Sequence, residues 1–135
     1  MTAAITSSAL VAALAAELSA RGIAFGHGKK PAVVTGHPWI VGFFDAGSIG
    51  DQSLVSRDGW STVGTFHCAG LTPDSAFIAA RKLREAALAL AGQTVGGRVV
   101  QKPRQNIEPP PIHRDDDADP VIFVQYDEWR FRTTL

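Results

Sequence analysis

Cysteine is nearly absent from this chain: Cys68 stands alone among 135 residues. A lone cysteine excludes an intrachain disulfide and any zinc site built on cysteine ligands, and it makes a reducing compartment the default expectation. An excess of one charge is lacking as well, with Lys plus Arg and Asp plus Glu at 13 each. Duplex readers and proteins held on anionic lipid normally carry a basic excess, so neither class shows its usual signature. Long apolar runs are missing too. No stretch approaches the roughly 18 residues of a membrane span, which predicts a soluble, intracellular protein without membrane contact. The Ala-rich N-terminus lacks the basic n-region of a signal peptide, and Glu17 and Arg21 interrupt its apolar run, so a mature helix is expected there.

What is present suits one ordinary core. A hydrophobic content of 45% over 135 residues excludes disorder as the overall description and predicts a single domain spanning 1–135. Leu10, Leu14 and Leu18 recur every four residues after the capping candidates Thr6, Ser7 and Ser8, and Gly22 offers a stop, so a helix is predicted over 7–21. The glycines and prolines of 22–38 leave room for no more than a brief strand near Ala32–Val34. Trp39–Phe44 is apolar on both faces and predicts a buried strand, and Trp60–Ala69 predicts an antiparallel partner. Between them, 45–58 is expected to be a long, mobile loop.

Thr72-Pro73-Asp74 combines an N-cap, a first-turn proline and an acid at the positive helix end. A helix is therefore predicted to about Ala91, with Phe77, Ala80, Leu83, Ala87 and Leu90 on its core face. Gly96-Gly97 predicts a hairpin between 93–95 and 98–105. A Pro- and Asp-rich crossing loop over 106–120 then leads into a terminal strand, Val121–Arg132. The expected fold is α+β: a mainly antiparallel sheet of about four strands, two helices packed on one face, order α-β-β-α-β-β.

Chemistry is hard to find. The Gly-rich patch Gly22–Lys30 has the wrong spacing for a phosphate loop, and Lys30 sits where a magnesium-binding Ser or Thr is needed. His27, His37, His67 and His113 show no helical metal spacing. His67 and Cys68 are neighbours on a strand and point to opposite faces, so they form no nucleophile–base pair. No catalytic constellation, cofactor site or metal site is expected, and the chain reads as a non-enzyme. A small enzyme or nucleotide-binding domain using the 22–30 loop is the remote alternative.

The most informative segment is His113-Arg114-Asp115-Asp116-Asp117-Ala118-Asp119-Pro120. Asp115, Asp116, Asp117 and Asp119 repel one another and must face water, a cation or a basic surface. They lack the alternating ligands, central glycine and distant Glu of a calcium loop. Arg81, Lys82, Arg84 and Arg104 supply matching charge, so these eight residues are the candidates for a contact between subunits, with a solvated turn and a solvated helix face as the plainer reading.

The order of these segments resembles the tail terminator (minor tail) proteins of long-tailed, siphovirus-type bacteriophages. The resemblance is carried by Trp60-Ser61-Thr62-Val63-Gly64-Thr65, by Thr72-Pro73-Asp74-Ser75-Ala76 with Ala80-Arg81-Lys82-Leu83-Arg84-Glu85, and by Arg114-Asp115-Asp116-Asp117 with Pro120, Tyr126 and Trp129-Arg130-Phe131-Arg132. It covers about the last 75 residues, while 22–58 depart from the pattern. The resemblance implies a virion protein without cofactor that forms a hexameric ring at the head-proximal end of the tail. Such a ring ends polymerisation of the major tail tube protein and docks to the head–tail connector protein, and DNA passes through its lumen without specific binding. A head-completion or connector adaptor is the nearer alternative. A closed ring needs two different complementary faces on each subunit, and an acidic turn with a basic helix fits that need.

Overall fold

The computed structural model describes residues 2–32, 36–49 and 59–134. The expected strand over Ala32–Val34 and most of the 45–58 loop lie outside the described residues. In chain order the elements are α1 (Thr2–Ala20), β1 (Ala24–His27), β2 (Trp39–Phe44), β3 (Ser48–Ile49), β4 (Trp60–Gly70), α2 (Pro73–Ala89), β5 (Thr94–Val95), β6 (Arg98–Val100), β7 (Arg104–Gln105), β8 (His113–Asp115) and β9 (Ile122–Thr134). The α+β class and the helices on one face of the sheet agree with expectation. The expected count of four strands does not, because nine strand segments among the described residues form one sheet, ordered β1-β2-β4-β9-β6-β5 with β3, β7 and β8 appended. The sheet is mixed, since β1 runs parallel to β2 while the other pairs are antiparallel.

Two long strands organise everything else. Apolar and β-branched residues fill β4 and β9, and the two pair without interruption from Trp60 opposite Thr133 to Gly70 opposite Phe123. On the far side of β9, the chain from Arg98 to Asp115 is one strand broken twice, with β5 outside its first piece and the other two pieces at the edge. Val99 pairs with Thr134, Arg104 with Arg130, and His113 with Val124. The register therefore slips by one residue around Pro103 and by three around Pro109–Pro111. Proline has no N–H to give to a ladder, so it sits at such bulges. The segment expected to cross the molecule as a loop over 106–120 instead follows this edge and carries β8.

Local chemistry explains both helices. The C-terminus of α1 closes with Gly22 N bonded to Ser19 O and Ile23 N to Leu18 O, and Gly22 has φ 77°, a left-handed cap suited to glycine. The helix extends further toward the N-terminus than the predicted 7–21, so Thr6, Ser7 and Ser8 lie within it and not ahead of it. In α2 the Thr72 hydroxyl accepts from Ser75 N at 3.1 Å with Pro73 in the first turn, as the sequence predicts. Leu10, Leu14 and Leu18 meet Leu83, Phe66, Trp129 and Phe131 in the main core. Phe77 is not part of it. It is 57% exposed, and the buried stripe of α2 runs through Ala76, Ala79, Leu83, Ala86 and Ala87. Small side chains let the helix lie close to β4, and that rotation turns Phe77 outward.

Candidate functional site

The strands bury one face under the helices and leave the other without them. Alternation puts Ile40, Phe66, Cys68, Trp129 and Phe131 on the helix side. Trp39, Val41, Ala69, Val124 and Tyr126 form a second apolar cluster on the opposite face. Over that cluster lies a cleft of about 500 Å³. One wall is Lys30, whose Nζ stands 4.3 Å from the Trp39 ring centroid. The other wall is the hairpin joining β8 to β9, which brings His113, Asp115, Ala118 and Asp119 to the rim.

Tyr126 is the hub of the cleft's aromatic side. His113 stacks on it at 4.9 Å between ring centroids, and His67 meets it edge-on at 4.5 Å. Burial first, and the nearby His113 second, hold the His67 imidazole below its ordinary pKa. Cys68 faces the main core, where burial pushes its thiol far up. The two side chains diverge, as their strand positions require. Among the described residues no group of three or more His, Cys, Asp or Glu is placed to hold a metal ion.

The eight interface candidates fall into three places. Asp115, Asp116, Asp117 and Asp119 share the β8–β9 hairpin. Asp115 accepts from Asp117 N at 3.1 Å, Asp116 pairs with Arg114, and Asp115 and Asp119 line the cleft. Arg81, Lys82 and Arg84 lie on α2, on the other side of the sheet, where Lys82 pairs with Glu85 at 3.5 Å. Arg104 joins neither group. It sits on β7 opposite Arg130, and therefore shares the helix-free face with Arg130 and Arg132. Acidic hairpin and basic helix thus occupy opposite sides of one subunit.

Sequence reasoning missed two buried polar groups that hold the edge strand in place. Asp127, 3% exposed, accepts from Gln105 Nε2 at 3.0 Å, Glu128 N at 2.8 Å and Trp129 Nε1 at 3.0 Å. Gln125 Nε2 donates to Pro110 O at 2.6 Å and to Tyr126 O at 3.1 Å, which fastens the proline bulge where the ladder is interrupted. The one available signal was position: Gln125 and Asp127 fall on the apolar phase of a strand, where an unpaired polar group is costly.

No family model matches the chain, and no curated protein matches it either. Solved structures do share its fold. A chain from the virion of a native gene transfer agent particle superposes with a TM-score of 0.65 at 13% identity, over 96% of this chain and 98% of that one. A second solved chain, whose name states no role, has the same score and identity over 97% and 94%. Nearly the whole fold therefore recurs in a chain of that virion particle.

Proposed function

We propose that this chain is a structural virion protein: a tail terminator whose ring caps the phage tail tube, ends its polymerisation and offers a docking surface to the head–tail connector. The carrying observation is the fold shared over nearly the full length with a gene transfer agent virion chain, joined to the resemblance of the last 75 residues to tail terminators. The charge layout supports a ring. Carboxylates and guanidinium groups on opposite sides of the subunit suit a head-to-tail contact, which closes when its rotation closes. The hexamer, the tube and connector partners, and free passage of DNA through the lumen follow from that reading.

Electron microscopy of negatively stained tail tubes mixed with the purified protein tests it. Discs at tube ends, with tubes that stop growing, are expected. Binding to heads with bare tube ends would replace the terminator by a head-completion or connector adaptor.

A further inference from the structure

The middle of α2 carries a feature the subunit itself leaves unused. Phe77 is 57% exposed and Ile78 is 40% exposed. Arg81 and Arg84 follow Phe77 at helical spacings of four and seven, so the four side chains make one apolar ridge ending in cations. Among the described residues, neither arginine has an acidic partner. The cleft on the other side of the sheet has the complementary composition, with an apolar floor of Trp39, Val41 and Val124 beneath the rim carboxylates Asp115 and Asp119. The sheet separates ridge from cleft, so no subunit can fill its own.

We infer that the Phe77 ridge of one copy seats in the sheet-face cleft of the next, with Arg81 and Arg84 against Asp115 and Asp119. This inference rests on the ring proposal and names its contact. Burying Phe77 removes from water the 57% of its surface still exposed, a little over half of the about 150–250 Å² that an aromatic side chain buries in full, and the cleft is large enough to take it. Apolar anchor and charged rim divide the work as in other protein contacts, the first giving affinity and the second giving register. Because the two patches differ, each copy keeps one free patch after pairing, and assembly continues until the ring closes.

Two variants separate the patches. Phe77→Asp with Arg81→Asp disables the ridge, and Ala118→Trp with Asp119→Arg blocks the cleft. All four positions are exposed or half-buried, and circular dichroism with a melting curve shows whether each variant folds. Arg81→Asp alone serves if the double ridge variant does not. Light-scattering mass is read for each protein alone and for an equimolar mixture. Each variant is expected to stay at the 14.3 kDa subunit mass, while the mixture forms a particle of twice that mass and stops. Assembly of either folded variant as in the wild type, a mixture that stays monomeric, or a monomeric wild type would overturn the contact. Wild-type caps on tail tubes beside a monomeric mixture would sink this contact and leave the ring proposal standing. Two-subunit particles beside bare tube ends would do the reverse.

Discussion

Asp127 holds a full set of hydrogen bonds in a place where a carboxylate is otherwise expensive. Its oxygens take up the Trp129 indole N–H, the Gln105 amide and the Glu128 backbone N–H. Asp127→Ala leaves the buried Trp129 indole N–H without a partner, while the half-buried Glu128 N–H and the exposed Gln105 amide can turn to water, and a loss of about 1–3 kcal/mol in urea unfolding is expected. A loss below about 0.5 kcal/mol would mean that water replaces the carboxylate. His67 gives a second expectation at this scale. Its pKa is lowered in the folded protein, so the unfolded chain takes up the proton first. At neutral pH both states are unprotonated and nothing is lost. As pH falls below about 6.5, the unfolded state gains protons and stability declines until the folded imidazole also titrates. Melting temperatures followed from pH 8 down to pH 5 should therefore fall more steeply for the wild type than for His67→Gln.

At the scale of elements, α2 depends on close approach to the end of β4. A side chain on Gly70 would stand 2.4 Å from the Ser75 Cβ, so Gly70→Ala must push the first turn of the helix off the strand. Thermal unfolding should register a loss of about 1–3 kcal/mol, and Thr72→Ala, which removes only the cap, about 1 kcal/mol. A Gly70→Ala variant as stable as the wild type would mean that the helix shifts freely. Both long strands, the second helix and the Gly96-Gly97 hairpin were readable because periodicity and turn residues are local signals. β1 was not, since Gly26 and its four-residue length give no alternation to read. The breaks in the strand after that hairpin, and β8 beyond them, were hidden for a different reason. β8 is a strand by virtue of lying beside β9, and nothing in its own three residues marks it as one.

At the scale of the molecule, the helix-free face carries opposite charge at its two ends. The acidic hairpin stands at the start of β9, and Arg104, Arg130 and Arg132 lie eight to ten residues along it, about 26–33 Å away. The sequence identified the charged groups but not their placement, which is why Arg104 was grouped with a helix it does not share a face with. The cleft was invisible for the same reason, since four separated stretches of chain converge to build it. Replacing Asp115, Asp116 and Asp117 together by Asn should leave the monomer folded and weaken assembly, most clearly at low salt where screening is least. Unchanged ring formation at low salt would show the hairpin to be merely solvated.

The uneven neighbours of β9 have a consequence in time. The backbone groups of Glu128 and Arg132 bond to the broken edge, through Asn106 N and Gln101 N, so the even-numbered residues between them face that side and the odd-numbered ones face β4. One strand therefore belongs to two cooperative units. Amides turned toward the unbroken partner should exchange with solvent deuterium only through global unfolding. Those turned toward the proline bulge, Tyr126 above all, should exchange through local opening that leaves the core intact. A sawtooth of protection along a single strand is the expected pattern, and the edge that frays first is the one that carries the acidic hairpin.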